Sequence, residues 1–459
     1  MTERVTRWWL SGPPIPATIV RVAMFAVPPL VGWSLAYALA YDRWDKWLAF
    51  SALVMIAVVP AVVRWPVILT FGLYAFVATS LDAFPFIPGG GAVSKPVGAL
   101  AGAVLLGAGL VERRLARPPT AALWWIAFML WGSLTVVWAV DLDVALLRLP
   151  TTLSLVVLYV AAVCFRPSRR ELYWVCAMTV LGGVVAATLA YFFGLEEQAA
   201  DQVARGRLAL GGMDSNPNTL GRVLLLPLIL AIAGFVAGRR ILYRVLAIGC
   251  AGLIGLGIFI SMSRSAVVAM AAMLLVLFYR TRRLWHLVAV VVLLLVVAAL
   301  MPDAFYERFE TLATGEDDGS GRLGIWRTGL QALERSGILG AGLHNFPVLH
   351  GAYVPGSRFV AHNSYLAILV EFGIPGIALM LAAIAGSFLA VQRIRKAGHG
   401  SIALSGLEAA CIGMLASSMF GDTLWTKSFW LAWILLTWAT YVEKQSRGPS
   451  EDALVPRDT

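Results

Sequence analysis

Apolar runs of about membrane-crossing length recur along this chain, and they constrain its fold more than any other feature. A bilayer offers the backbone no water, so a crossing segment must satisfy its own hydrogen bonds, and for runs of this length that means helix. The runs lie near residues 18–40, 46–63, 65–82, 96–111, 120–140, 147–165, 172–194, 219–236, 241–261, 264–280, 284–301, 363–391, 402–420 and 425–442. Only Arg64-Trp65-Pro66 separates the second from the third, and the fourth is short, so about twelve to fourteen spans are expected. Composition agrees: 59% of residues are hydrophobic, 14% are charged, and the mean hydropathy is +0.79. Many of the 17 Trp and 12 Tyr stand near the ends of runs, the headgroup position such rings favour. The first run, Ile19 to Ala40, is too long for the core of a cleavable signal and reads as a span. The expected fold class is all-α: a polytopic transmembrane helical bundle whose largest loop, 302–362, carries short amphipathic helices. The four cysteines stand singly in apolar segments, with no redox or metal motif.

Charge sets the orientation. With Arg4 and Arg7 inside, the inner turns hold Arg64; Arg113, Arg114 and Arg117; Arg166, Arg169 and Arg170; Arg239, Arg240 and Arg244; Arg280, Arg282 and Arg283; Arg393, Arg395 and Lys396; then Lys444 and Arg447 in the tail. The short loops opposite are poor in Arg and Lys, which is the positive-inside pattern. These clusters absorb most of the net charge of +10, and a nucleic-acid role loses its motive. The chain divides into N-terminal spans (1–195), spans joined by outer Arg loops (196–301), the large outer loop (302–362), C-terminal spans (363–442) and a polar inner tail (443–459).

Some outer cations have no topological explanation. Arg205 and Arg207 precede Asn216-Pro217-Asn218-Thr219-Leu220-Gly221-Arg222. Arg264 stands in the tight turn Ser261-Met262-Ser263-Arg264-Ser265. Arg322 and Arg327 lie in the large loop. An Arg at membrane depth usually faces a polar cavity, although one near the boundary can instead snorkel to headgroups. Guanidinium groups suit phosphate, since their planar fork gives paired charge-assisted hydrogen bonds. Arg converging from separate loops would clamp a pyrophosphate and stabilise the charge that leaves with it. No outer carboxylate pair has the spacing to hold a divalent metal, and no cofactor is called for.

There are five histidines. His286 and His399 fall on the inner side; His344, His350 and His362 fall outside. His362 stands where the loop re-enters the membrane, beside Asn363 and Tyr365. It is either a general base for an acceptor hydroxyl or an interfacial residue preceding a helix that Asn363 caps. Glu371 lies within an apolar segment and should face the bundle interior with a partner, an Arg of the site being one choice. Asp422 in the turn Phe420-Gly421-Asp422-Thr423 is a second acidic candidate. Leu323, Trp326, Leu330 and Leu333 have helical spacing, so 320–336 should be an amphipathic helix near the outer membrane surface. Gly373-Ile374-Pro375-Gly376 should kink or break its span.

Taken in order, Asn216-Pro217-Asn218-Thr219-Leu220, Ser263-Arg264-Ser265-Ala266, Gly321-Arg322 with Trp326, Gly340-Ala341-Gly342, Ala361-His362-Asn363-Ser364-Tyr365 and Glu371-Phe372-Gly373-Ile374-Pro375-Gly376 resemble the O-antigen ligase/polymerase family of bacterial membrane glycosyltransferases. The likeness is specific over about 200–380 and general before that. It implies a glycan donor on undecaprenyl pyrophosphate, lipid A-core as the acceptor of a ligase, and an active site on the periplasmic face of the inner membrane. It also implies metal-independent transfer with inversion that relies on two Arg and one His. Carried over, these are His362, Arg264 and one Arg before Asn216, with Arg207 preferred to Arg205. Arg205, Arg222, Arg322, Asn363 and Asn218 are the further substrate-binding candidates. A polymerase extending lipid-linked repeat units shares these motifs. A flippase of the lipid-linked glycan would place its polar groups near the bilayer midplane.

Overall fold

The computed structural model describes residues 64–80, 91–193, 217–299, 306 and 322–446. The expected spans at 18–40 and 46–63 lie outside the described residues. What is described is helical, with one isolated bridge, Leu115 to Phe165. The helices are α1 (Pro66–Thr79), α2 (Gly91–Val111), α3 (Thr120–Leu134, extended by a 3-10 turn to Trp138), α4 (Leu142–Cys164), α5 (Arg169–Phe193), α6 (Pro217–Val223) and α7 (Leu225–Ala237). They continue with α8 (Ile241–Ile260), α9 (Arg264–Thr281), α10 (Leu284–Ala299), α11 (Arg322–Ser336), α12 (Phe346–Tyr353), α13 (Ser364–Lys396), α14 (Ile402–Ser418) and α15 (Lys427–Gln445). Seven of these stretches are long and apolar enough to cross a membrane: α3 with its extension, α4, α5, α6 run into α7, α8, α9 and α13. Shorter apolar helices are α1, the Lys95–Val111 part of α2, and α14.

Local chemistry sets the helix starts. Asp141, Ser263, Asn363 and Ser401 each accept a hydrogen bond from the first turn of α4, α9, α13 and α14, filling donors that would otherwise be orphaned. Pro217 opens α6, where its missing N–H costs nothing. In the core, Trp125 of α3 meets Trp430 and Trp433 of α15 ring to ring, and Trp438 donates to the carbonyl of Ala162 at 2.8 Å, tying α15 to α4.

The basic turns meet one another at one end of the bundle, the end that the charge pattern expects to face inward; it is called the inner end and the opposite one the outer end. Arg114 bonds both carboxylate oxygens of Glu171 at the start of α5 and lies over the Phe165 ring. Arg283 donates to the carbonyl of Val236 at 3.2 Å. Buried Glu408 takes Arg280 at 2.5 Å and Arg395 at 2.7 Å, which ties α9, α13 and α14 together.

At the outer end α13 is broken. Gly373 has φ 66° and ψ −164°, two residues before Pro375. The break frees carbonyls that a membrane helix cannot leave bare, and the segment 338–342 supplies their donors. Ala341 N–H bonds Val370 O at 2.8 Å and Gly342 N–H bonds Glu371 O at 2.9 Å; Ile374 N–H returns a bond to Ile338 O at 2.9 Å. The indole of Trp131 takes the third carbonyl, Phe372 O, at 2.8 Å. A Cβ at Gly373 would run into the backbone of Ile338 to Gly340.

The amphipathic helix expected at 320–336 is α11. Ile325, Gly329 and Ala332 are the buried residues, against Phe346 and Leu366, with Trp326 and Leu333 partly covered. Leu323 and Leu330 face outward. The cause is close packing: Gly329 has no side chain and lets α11 approach α13, which an apolar stripe of leucines on that face would prevent.

Gly373→Ala puts a side chain where both backbone angles and space refuse one. It should cost at least about 2 kcal/mol, read as a lower unfolding temperature in detergent. Gly107→Ala, where a Cβ meets nothing, should be neutral or slightly stabilising; equal stability for both variants would refute the account of the break.

Candidate active site

Four elements converge at the outer end, and each can be followed from its neighbour. Gly221 of α6 packs against Ser261, Ser263 and Ala266, which brings α6 against the first turn of α9, where Arg264 is the first residue. One position on, Arg222 is 7% exposed, and its guanidinium lies on Gly421 so closely that a Cβ there would occupy the same space. The Ser364 hydroxyl at the start of α13 donates to Gly421 O at 2.9 Å and accepts from Thr423 N–H at 3.0 Å. His362, two residues before Ser364, is thereby set beside the same turn. On its other flank Trp326 donates to Ala361 O at 3.0 Å, which ties α11, and Arg322 at its start, to the segment carrying His362.

The backbone at His362 is strained, with φ 48°, a region that few residues other than glycine adopt and that strained functional positions often occupy. Asn363 follows in extended conformation and accepts from the N–H groups of Tyr365 at 3.0 Å and Leu366 at 3.2 Å. The two readings of His362 are therefore not exclusive. Asn363 is the cap, which occupies its side-chain oxygen and limits what it can offer a substrate, while the imidazole remains available.

Electrostatics separates the groups. Burial, then the charges of Arg322 and Arg222, hold His362 down at about 4. Its ring is thus neutral near pH 7, with a lone pair to accept a proton. Asp422 is pushed up to about 6 by burial, opposed by Arg222 and Arg148. Arg222 and Asp422 feel each other without forming an ion pair; Arg222 bonds Thr219 Oγ1 at 3.2 Å instead. The buried Nε of Arg222 and Oδ1 of Asp422 both lack a hydrogen-bond partner, which is costly unless a ligand or water meets them.

The remaining candidates sort as follows. Asn218 lies one turn before Arg222 on α6 and is partly buried. Arg205 and Arg207 lie outside the described residues. Among the described residues Glu371 pairs with no Arg: its carboxylate accepts from the N–H groups of Phe346, at 3.1 Å, and His344. The break in α13 turns it toward the start of α12, so it holds the loop rather than the site. His350 is buried, its Nδ1 3.2 Å from Ser357 O and its ring between Phe346 and Phe359. Among the described residues no three His, Cys, Asp or Glu side chains gather as metal ligands would.

Sequence reasoning missed Arg148. Its run was taken to begin at 147, which left Arg148 at the boundary; Asp141 starts the helix earlier and moves Arg148 into the second turn. An apolar window does not register where a helix cap falls. The signal was Asp141 itself, three residues before Val144.

Residues 248–381 match the family model described as O-antigen ligase. Over that stretch the chain is similar to the O-antigen ligase family. No curated protein matches the chain. The matched stretch holds Arg264, Arg322, His362 and the broken part of α13, whereas Arg222 and Asp422 come from outside it. That match, with seven helices long and apolar enough to cross a membrane, supports a multi-pass membrane protein and a ligase/polymerase-type function in the assembly of O-antigen or a related glycan.

Linkage gives a test of the charge arrangement. Asp422 binds its proton more tightly when folded than at its ordinary 3.8, so its contribution to stability is present below that value and lost as pH rises to about 6. His362, lowered from 6.5 to about 4, acts oppositely and adds stability as pH rises through that window. Asp422→Asn removes only the first. Relative to wild type its unfolding free energy should climb between pH 4 and 7, by up to roughly 3 kcal/mol. Parallel pH profiles for the two proteins would show that Asp422 titrates normally.

Proposed function

We propose that the chain is an O-antigen ligase that moves a glycan from undecaprenyl pyrophosphate to lipid A-core, without a metal and with inversion at the anomeric carbon. The observation that carries this is a neutral, strained His362 set among Arg222 and Arg322, with Arg264 one packed layer away, all at the end opposite the basic turns. By the positive-inside rule that end faces the periplasm of the inner membrane.

The arrangement suits the chemistry. The pyrophosphate lies against Arg264 and Arg207, with Arg205, Arg222, Arg322 and Asn218 completing its surroundings. The acceptor hydroxyl attacks the anomeric carbon from the side away from the pyrophosphate. The bond from that carbon to the phosphate oxygen breaks, and undecaprenyl pyrophosphate leaves with the electron pair. His362 takes the hydroxyl proton. In the free protein it is a weak base because burial, and then the neighbouring guanidinium charges, oppose protonation. Pyrophosphate offsets those charges, so binding of the donor itself strengthens the base. Catalysis then waits until both substrates are present.

The reading is tested with purified protein in nanodiscs, lipid-linked donor, lipid A-core and chelator. His362→Ala should still bind donor but lose transfer by at least about 100-fold. Near-normal turnover would remove His362 from its role. Lengthened lipid-linked chains without lipid A-core would identify a polymerase, and donor crossing the bilayer without transfer would replace the enzyme by a transporter. Independently, Arg322→Gln takes a positive charge from beside His362. Its imidazole should then titrate above the present value of about 4, as followed by NMR of ¹⁵N-labelled histidine; an unchanged titration would mean that Arg322 points elsewhere.

A further inference from the structure

A glycosyl transfer brings two substrates together, and the outer end holds a further cation, Arg148, and a His344–Trp425 ring pair that the scheme above leaves unused. Arg148 projects from the second turn of α4, a helix that crosses the membrane. It makes no ion pair among the described residues and is exposed. A charge at such a depth is costly unless it faces a polar cavity or a ligand.

The surroundings of Arg148 are built rather than casual. Its charge reaches His344, Asp422 and Glu371. His344 is held at φ 58°, and the next residue locks it to the head of α4. Asp141 N–H donates to Asn345 Oδ1 at 2.7 Å, and Asn345 Nδ2 donates back to Asp141 O at 3.2 Å. The His344 ring stands edge-on to Trp425, centroids 6.4 Å apart at 86°. Below them opens an apolar crevice lined by Trp425, Thr152, Leu155, Phe372 and Leu424. Asp422 links the two groups of cations electrostatically, since the charges of Arg222 and Arg148 both act on it.

We infer that Arg148, His344 and Trp425 form the acceptor pocket, which takes a saccharide bearing an anionic group such as phosphate. The chemistry matches each part. Aromatic rings stack on the apolar faces of sugars, a guanidinium takes the phosphate, and a buried carboxylate with an unfilled oxygen takes hydroxyl groups. Asp422 at the junction sits where the attacking hydroxyl must pass from this pocket to His362. The identity of the ligand as acceptor rests on the transfer reaction proposed above; the pocket itself does not.

The test uses the full chain in nanodiscs with ¹⁵N-labelled histidine. Five histidines give a spectrum that His344→Gln and His362→Gln assign. Glucose 6-phosphate should shift the His344 resonances, glucose at the same concentration should do so far less, and inorganic pyrophosphate should shift those of His362. Arg148→Gln should weaken glucose 6-phosphate binding by about tenfold or more while leaving the pyrophosphate response intact. Trp425→Phe, which keeps a ring, should weaken it less than Trp425→Ala. In the transfer assay Arg148→Gln should raise the KM for acceptor by about tenfold and leave the KM for donor nearly unchanged. Glucose 6-phosphate acting at His362, at no histidine, or equally on Arg148→Gln would overturn the pocket. A wild type that binds glucose 6-phosphate at His344 but transfers nothing would instead overturn the ligase reading.

Discussion

A broken membrane helix must have its bare carbonyls satisfied, and the geometry of the outer end follows from how α13 meets that demand. Val370, Glu371 and Phe372 present acceptors that their own helix cannot use. Ala341, Gly342 and Trp131 fill them. Each unsatisfied group would cost several kcal/mol in the apolar layer, so the repair is compulsory and specific in register. It fixes residues 338–342 against α13, and the Trp138 indole on Gly340 O and the Val140 N–H on Ala341 O fix the same residues against the end of α3. A loop that could have hung free is thus part of the bundle, and His344 and α12 inherit definite positions.

The second constraint is electrostatic. Arg222 is almost wholly buried, yet the carboxylate nearest in effect, Asp422, does not close an ion pair with it. Filling that gap with a direct pair would make a stable but inert cluster. Left open, the two groups supply a cation and an acceptor to whatever enters. The contrast at the inner end is instructive. There Glu408 is fully engaged by Arg280 and Arg395, which holds three helices together and leaves little for a ligand. The same residue types thus serve as fasteners at one end and keep hydrogen-bonding positions unfilled at the other.

Much of this was legible in the sequence. Hydropathy located the helices because the membrane couples apolar length directly to structure, and regular Arg clusters located the turns that gather at one end of the bundle. Asn363 as a cap and Gly373 as a break follow from local backbone chemistry that a short motif carries. Other features depend on long-range packing and left no local trace. Glu371 looked like a partner for an Arg, but the break turned it toward the N–H groups of Phe346 and His344. The spacing of Leu323 and Leu330 gave the helix α11, but not its close approach to α13, which a glycine at position 329 permits and hydrophobicity does not encode. Arg148 escaped because a helix cap, not an apolar run, decides its depth.

The site also cannot belong to the family segment alone. Residues 248–381 bring Arg264, Arg322 and His362, but each is held by something outside. Arg264 starts a helix whose first turn receives Gly221 of α6, and His362 precedes a helix end clasped by Gly421 and Thr423. The charges that lower His362 come from Arg322 within the segment and Arg222 beyond it. A base tuned from both sides will respond to changes in helices that share no motif with it. The regions before and after the matched segment therefore help to set its state: the charge of Arg222 in α6 acts on His362 directly, and Asp422 in the turn before α15 acts on Arg222 in its turn.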